Sequence, residues 1–386
     1  MDRKSNKSKT VCLIYEFLSE QGGLEREIIN HSNFLKQRGY KVKVLTCHLN
    51  KKILKLLPFE GVEIETIGKI NTKYEALNLI LCFLGFNNLK KYSPDLFISY
   101  SFPCNFLIRK NKSKKINYIN HFPHFLYLRG KEKIEWASST QGPKRWFSVI
   151  LSWFAGFFLR KLDKKLVHKN DLIFTNSDFT KKRIDSIYDI NTTVSYPPLD
   201  PKFKPSKKKI KQKFVFSSSR IIPDKKYEWL INSMSYMKNK IPLYVAGSVE
   251  DSYKNKLLNL AKQKNVQLRF LGRLNTPQII NLYTNATVFA FPTPEEDFGL
   301  VPAESLACGT PVVVWGDGAG PCEQVINGEN GFHAKPYKFK DFGAKIDKII
   351  DSDMKKKNKK KIIQSSKKFS AKEIKKSFIK EIEKIL

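Results

Sequence analysis

The chain has 386 residues, 41% hydrophobic and 12% aromatic, so it holds about two domains at roughly 100–200 residues each and is not a disordered polypeptide. Its formal charge is +34, from 70 Lys and Arg against 36 Asp and Glu, and such an excess bears on partners more than on fold. Nucleic acid, an anionic membrane face and anionic small substrates all stay open, as does the plainer origin of a lysine-rich genome or a hot or salty cytoplasm.

Residues 1–10 are polar and lysine-rich and lead into the first strand without the apolar segment or cleavage site of a signal peptide. Residues 11–15 read as a buried parallel strand. Gly22-Gly23 then breaks the chain before a helix over 24–37, which Gly39 ends, and 41–46 is the next strand. A glycine pair at this point lets a phosphate approach the backbone closely, and it equally makes a plain tight turn. Residues 62–67 form a third strand, and 74–91 a helix with Leu77, Ile80, Leu81 and Leu84 as its apolar face. Strands at 95–100 and 115–120 follow, the second delivering His121 at its C-terminal end. Strand alternating with helix predicts a doubly wound α/β sheet, whose ligands bind at the carboxyl ends of strands. His121 therefore either faces a cleft or caps a strand, and His124 is too isolated to make a metal site.

Residues 145–166 carry an apolar cluster including Trp146, Phe147, Leu151, Trp153, Phe154, Phe157 and Phe158, flanked by Lys144, Arg145, Arg160, Lys161, Lys164 and Lys165. Paired tryptophans with basic flanks resemble an interfacial helix lying on anionic lipid. A helix packed on the sheet is the alternative, and both hold if one face is exposed. Strand 172–175 precedes Asn176-Ser177-Asp178, which caps a helix over 179–187. After a strand at 193–196, Pro197, Pro198, Pro201 and Pro205 stiffen a lysine-rich linker.

The alternation then repeats. Strand 213–219 runs into Arg220 and Lys225 before a helix at 227–237. Strand 243–246, helix 251–264, strand 266–271, helix 277–284 and strand 287–291 follow, and the tail from Phe339 onward is helical. Between strands 287–291 and 312–315 lies Pro292-Thr-Pro-Glu-Glu-Asp-Phe-Gly-Leu-Val-Pro-Ala-Glu304. Pro302 suits a first helical turn and Gly309 the position just past the helix. Free N–H groups from about Phe298 to Val301 make a phosphate seat. Glu296 lies before that seat, and Glu304 falls in the predicted first turn. Two carboxylates beside an anion site repel the anion unless they accept hydroxyl hydrogen bonds. Arg220 and Lys225, aimed from a strand end at the same helix, complete a diphosphate clamp.

Six cysteines are dispersed without a Cys-x-x-Cys pair and read as buried free thiols in a reducing compartment. No stretch reaches the roughly 18 apolar residues of a spanning helix.

Glu296-Asp-Phe-Gly-Leu-Val-Pro-Ala-Glu304 resembles the E-x7-E signature of glycosyltransferase family 4, retaining enzymes of the GT-B fold. Gly22-Gly23-Leu-Glu-Arg, Tyr196-Pro-Pro-Leu-Asp200, Ser219-Arg220-Ile-Ile-Pro-Asp-Lys225, Phe270-Leu-Gly-Arg273, Gly318-Ala-Gly320-Pro-Cys-Glu323 and Asn327-Gly-Glu-Asn-Gly331 match in the same order. The likeness is greatest to a branch that includes mannosyltransferases acting on lipid-linked glycans. Ser305 stands where the family has Ala, and Pro321 interrupts the glycine-rich turn.

The resemblance implies two Rossmann-like domains facing a cleft: 1–200 on the acceptor side, 201–370 for the nucleotide sugar, and a helix at 371–386 packing back on the first domain. It implies Glu296 on the donor sugar, Arg220 and Lys225 on the diphosphate, and His121 near the anomeric carbon. Gly22, Gly23, Phe298, Gly299, Leu300 and Val301 would hold the donor, and Glu304 the ribose. No metal or other cofactor is expected. The donor is a GDP- or UDP-linked hexose, with mannose favoured, and the acceptor a glycan or lipid-linked glycan. The enzyme would be cytoplasmic, peripheral on the inner membrane face. An epimerase on the same fold is the alternative enzyme. A nucleic-acid binder would need its lysines concentrated with aromatics on one face; they are spread out, so nucleic acid is not an expected partner.

Overall fold

The computed structural model describes residues 8–19, 22–138 and 142–386, so the polar stretch at 1–7 lies outside it. Two parallel sheets organise the chain. The first contains β1 (Thr10–Leu18), β2 (Lys41–Leu49), β3 (Glu63–Thr66), β4 (Leu96–Tyr100), β5 (Lys114–Ile119), β6 (Leu172–Thr175) and β7 (Thr193–Val194). Its strand order is β3-β2-β1-β4-β5-β6-β7. The second contains β8 (Val215–Ser218), β9 (Leu243–Ala246), β10 (Leu268–Phe270), β11 (Val288–Ala290), β12 (Val312–Trp315) and β13 (Gly331–Ala334), in the order β10-β9-β8-β11-β12-β13. Central strands such as β4 and β12 are buried at every residue, because helices cover both faces and leave no solvent side for polar residues. Strand order reverses between β1 and β4 and again between β8 and β11, and a crevice opens at the carboxyl ends of such pairs.

The chain crosses between sheets twice, side by side: Leu199 N–H donates to Phe369 O at 2.8 Å. Beyond the second crossing, the Ala371–Ile385 helix buries Ile374, Phe378, Ile379 and Ile382 among first-sheet residues. Phe378 stacks on His31 with centroids 4.1 Å apart and rings within 3°.

Two predicted elements differ. The 74–91 helix is only Glu75–Phe83; Gly85 turns at φ 97°, and the Asn87 amide donates to Cys82 O at 2.7 Å. Its packed side chains are Asn78 and Cys82, whereas Leu77, Ile80 and Leu84 face solvent. Asn78 earns that interior place by donating to Thr72 O at 2.9 Å and approaching His48 Nδ1 at 2.8 Å. The apolar stripe is therefore not the core face. The 145–166 helix extends over Gly142–Val167; Val149 is buried while Trp153, Phe154, Phe157 and Phe158 are exposed, Phe154 by 84%. The side chains of Lys144, Arg145, Phe147 and Leu151 lie outside the described residues.

The helix Gly23–Gln37, which begins on the glycine pair, is fixed from below by buried polar groups. The Tyr118 hydroxyl donates to Ser195 O at 2.7 Å and also contacts the Glu27 carboxyl. One phenol proton cannot serve both oxygens, so a protonated Glu27 completes the chain by donating to Tyr118. Burial pushes the Glu27 pKa up to about 8, against the lowering effect of Tyr118 and Asn120. The neutral form therefore prevails at pH 7. Because the folded value lies above the unfolded one, the contribution of Glu27 to stability is fully present below about pH 4.5 and is lost as pH rises through 8. Glu27→Gln has no proton to lose. Unfolding midpoints at pH 5 and pH 9 should show the variant gaining on the wild type at the higher pH. Parallel pH profiles for the two proteins would refute a protonated Glu27.

Candidate functional site

In the second domain, β11 runs into a loop that ends at Gly299, the N-cap of the Leu300–Ala307 helix, with φ 70°. That positive φ favours glycine. The loop is pinned from four directions. Trp315 Nε1 donates to Pro292 O at 2.7 Å, and Glu295 N–H to Asp317 at 3.0 Å. Gln324 Nε2 donates to Phe298 O at 2.7 Å and to Gly299 O at 2.9 Å. Gly320 N–H donates to Glu296 O at 2.9 Å, an approach so close that a Cβ on Gly320 would sit 2.2 Å from Asp297 O. Among the described residues, the N–H groups of Leu300 and Val301 find no acceptor and there is no side-chain cap. Pro302, third in the helix, has none to offer.

Glu304 lies beyond the first helical turn, not inside it, because the helix starts at Leu300. It is only 6% exposed. Its Oε2 accepts from the Tyr283 hydroxyl at 3.0 Å, and its Oε1 lies 3.6 Å from Arg26 Nη1 of the glycine-led helix in the first domain. Burial raises its pKa, and Arg26 and Tyr283 oppose that rise.

Glu296 Oε2 meets Lys225 Nζ at 2.5 Å, each side chain about a fifth exposed. Lys225 ends a short 3₁₀ turn, Pro223–Lys225, that follows β8. Arg220, at the end of the same strand, is exposed and forms no ion pair among the described residues. Its loop leans on Gly247, where a Cβ would fall 1.8 Å from Ser219 O. Next to Glu296, Asp297 has a pKa pushed up to about 7, first by burial and then by Glu296, with Arg183 and Lys225 pulling the other way.

Across the cleft, Gly22 is extended and Gly23 starts the helix; a Cβ at Gly23 would meet nothing within 4 Å. Gly23 therefore answers no packing need of its own and presents bare backbone to open space. His121 follows β5 and stacks on His124 with centroids 5.2 Å apart. The residue is exposed, and desolvation by the surrounding protein lowers its pKa, so the imidazole is neutral at pH 7.

The structure thus joins Glu296 to Lys225 and Glu304 to Arg26, and leaves Arg220, His121 and the glycine pair outside these two contacts. It also shows contacts that no local pattern signals. Glu323 accepts from Asp178 N–H at 3.1 Å and Phe179 N–H at 2.9 Å, capping the first-domain helix Asp178–Tyr188. Arg183 of that helix lies 3.9 Å from Glu295 and rests on the Phe122 ring at 4.9 Å. Among the described residues no three His, Cys, Asp or Glu side chains gather as a metal-ligand set.

Comparison with known proteins agrees with this layout. The family model described as Glycosyltransferase Family 4 matches residues 21–203, and that described as Glycosyl transferases group 1 matches residues 200–369. The chain is 34% identical over 140 residues to the capsular polysaccharide biosynthesis glycosyltransferase CapM of Staphylococcus aureus, covering 35% of this chain and 36% of that protein. It is 28% identical over 183 residues to a GDP-mannose-dependent monoacylated alpha-(1-6)-phosphatidylinositol monomannoside mannosyltransferase of Corynebacterium glutamicum, covering 41% of this chain and 48% of the relative. The chain thus spans less than half the length of either relative. Among solved structures, a glycosyltransferase from Rickettsia africae superposes with TM-score 0.74 at 17% identity, over 98% of this chain and 99% of that one. Anabaena HepE, solved with UDP and glucose, gives 0.72 at 16%, over 97% and 100%. At such identities the likeness is one of fold, and the fold is GT-B.

The glycine contacts give a paired prediction. Gly320→Ala should cost about 1–3 kcal/mol by overpacking, read from urea unfolding. Gly23→Ala should leave stability unchanged or slightly raised. A Gly320→Ala protein as stable as wild type would mean that the loop is not held by that approach.

Proposed function

Since the chain belongs to glycosyltransferase family 4, we propose that it moves a hexose, mannose favoured, from a GDP- or UDP-linked sugar to a hydroxyl of a glycan or glycolipid with retained anomeric configuration. The observation that carries this reading is the Glu296–Lys225 pair beside the uncapped start of the Leu300–Ala307 helix. It places an acid, a cation and free N–H groups at one end of a cleft. A sugar diphosphate divides that set: sugar hydroxyls donate to Glu296, while phosphate oxygens take Lys225, Arg220 and the N–H groups of Leu300 and Val301. Gly299 and Phe298 shape the loop under the sugar. Glu304, already bonded to Tyr283, receives the ribose hydroxyls, and Gly22-Gly23 closes over the diphosphate from the other domain.

In the reaction, the bond between the anomeric carbon and the phosphate oxygen breaks as the acceptor oxygen bonds to that carbon from the same face. The acceptor proton passes to the departing diphosphate. Negative charge grows on the leaving oxygen, and each well-placed donor there contributes about 3–4 kcal/mol. Side-chain cations neutralise this charge, so the reading calls for no metal ion. Neutral His121 contacts the sugar near its anomeric carbon without competing for the phosphate. The exposed aromatic row of the Gly142–Val167 helix supports a peripheral enzyme resting on the inner membrane face and an acceptor borne by lipid.

Turnover with a panel of GDP- and UDP-hexoses tests the clamp: Lys225→Ala or Arg220→Ala should lower kcat about 100-fold. Near-normal turnover in a folded variant would remove it, and indifference to every nucleotide sugar would remove the transferase reading. The two acids should separate by calorimetry. Glu304→Ala should weaken the nucleotide itself by about tenfold or more, whereas Glu296→Gln should retain nucleotide binding and lose turnover. Equal effects on nucleotide affinity would refute their separate roles.

A further inference from the structure

A groove of about 1010 Å³ runs along the first domain between the Gly142–Val167 and Asp178–Tyr188 helices and reaches Asp317 and Gly318 of the second. Its lining carries six cations, Arg129, Arg160, Lys161, Lys164, Lys182 and Arg183, against the carboxylates Glu132 and Asp317. Between them the walls are apolar, with Phe122, Phe157 and Phe179.

Such a density of like charge normally draws in carboxylates, and here two of the nearby ones are engaged elsewhere. Asp163, one residue from Lys164, is buried and accepts from the Tyr127 and Tyr188 hydroxyls at 2.8 and 2.7 Å. Asp317 accepts from Glu295 N–H and Ala319 N–H at 3.0 and 3.1 Å. Among the described residues, Arg183 is the member of the six with an ion-pair partner, Glu295 at 3.9 Å. Cations in excess of their counter-charge on apolar walls fit an anion that carries a hydrocarbon part.

The two ends of the groove differ. The inner end meets the reaction centre, since Arg183 touches Glu295, the neighbour of Glu296, and Phe122 follows His121. The outer end opens at Phe157, 57% exposed, beside Phe158 and Phe154, with Lys161 Nζ over the Phe157 ring at 4.4 Å. An occupant therefore has a polar end at the donor sugar, an anionic middle and an apolar end that leaves along an exposed aromatic helix.

We propose that this groove binds the phosphate or diphosphate of a membrane lipid that carries the acceptor sugar, a proposal that rests on the transferase reading. Lys164 and Lys182 hold the phosphate oxygens from facing helices, and the lipid chain passes Phe157 into the bilayer.

Calorimetry on the full chain, with UDP and GDP saturating the donor site, tests this with three probes: farnesyl diphosphate, inorganic diphosphate and farnesol. Farnesyl diphosphate should bind at least tenfold more tightly than either part alone. The double variant Lys164→Gln/Lys182→Gln, both side chains exposed, should weaken it about tenfold or more with nucleotide affinity unchanged. Farnesol binding as well as its diphosphate, inorganic diphosphate doing the same, or a variant with wild-type affinity would each overturn the assignment. Nucleotide sugars turned over by a protein that ignores farnesyl diphosphate would sink the groove alone. A protein that binds no nucleotide sugar would lose both readings, whatever it does with the prenyl probe.

Discussion

Two backbone N–H groups at the start of the Asp178–Tyr188 helix end on the carboxylate of Glu323, a contact that ties one domain to the other beside the cleft. A helix N-terminus favours negative charge, and this one takes it from the other domain. Burial raises the Glu323 pKa, and the two N–H groups counter the rise by bonding its charged form. Lys368 Nζ donates to Glu323 O at 2.6 Å, tying the cap to the segment where the chain returns to the first domain. Other contacts across the cleft accompany it. Arg183 reaches Glu295 and Thr180 approaches Asp297 at 3.5 Å from the capped helix itself, while Arg26 reaches Glu304 from the glycine-led helix.

Charge is arranged by what each carboxylate already does. Acids near the cleft are held by named partners: Glu304 by Tyr283, Glu296 by Lys225, Glu323 by two amides. Asp163 is spent on two phenols. The surplus of lysine and arginine is thereby left available around the cleft and its side groove, where ordinary surface pairing would have quenched it. A net charge of +34 looks like bulk composition, but locally it depends on where the 36 acids have been placed.

Much of the fold was legible because parallel strands buried on both faces leave continuous apolar runs. Leu172–Thr175, Leu243–Ala246 and Val312–Trp315 are bounded in the sequence as they are in space. Periodicity failed at Glu75–Phe83, where an exposed apolar stripe mimicked a core face and the packed residues were Asn78 and Cys82. The spacing of Glu296 and Glu304 was readable because both sit on one local loop-and-helix unit. The turn in which Glu304 falls was not, since the helix begins at Leu300 and Pro302 takes its third position. Arg183, Tyr283 and the cap by Glu323 act through partners distant in sequence, and no local pattern encodes such pairings.

The helix Ala371–Ile385 has a bearing on the order in which the molecule assembles. Its Phe378 covers His31, and its Ile374 and Ile382 lie among the strands of the first sheet. In connectivity, the second domain is an insertion within the first. As the polypeptide leaves the ribosome, residues 10–194 can pair their strands but must wait, with an apolar face uncovered, while the second domain closes. Domains emerging in sequence generally fold as units; here the unit that starts first finishes last, and its nascent surface is the part of the molecule most in need of protection.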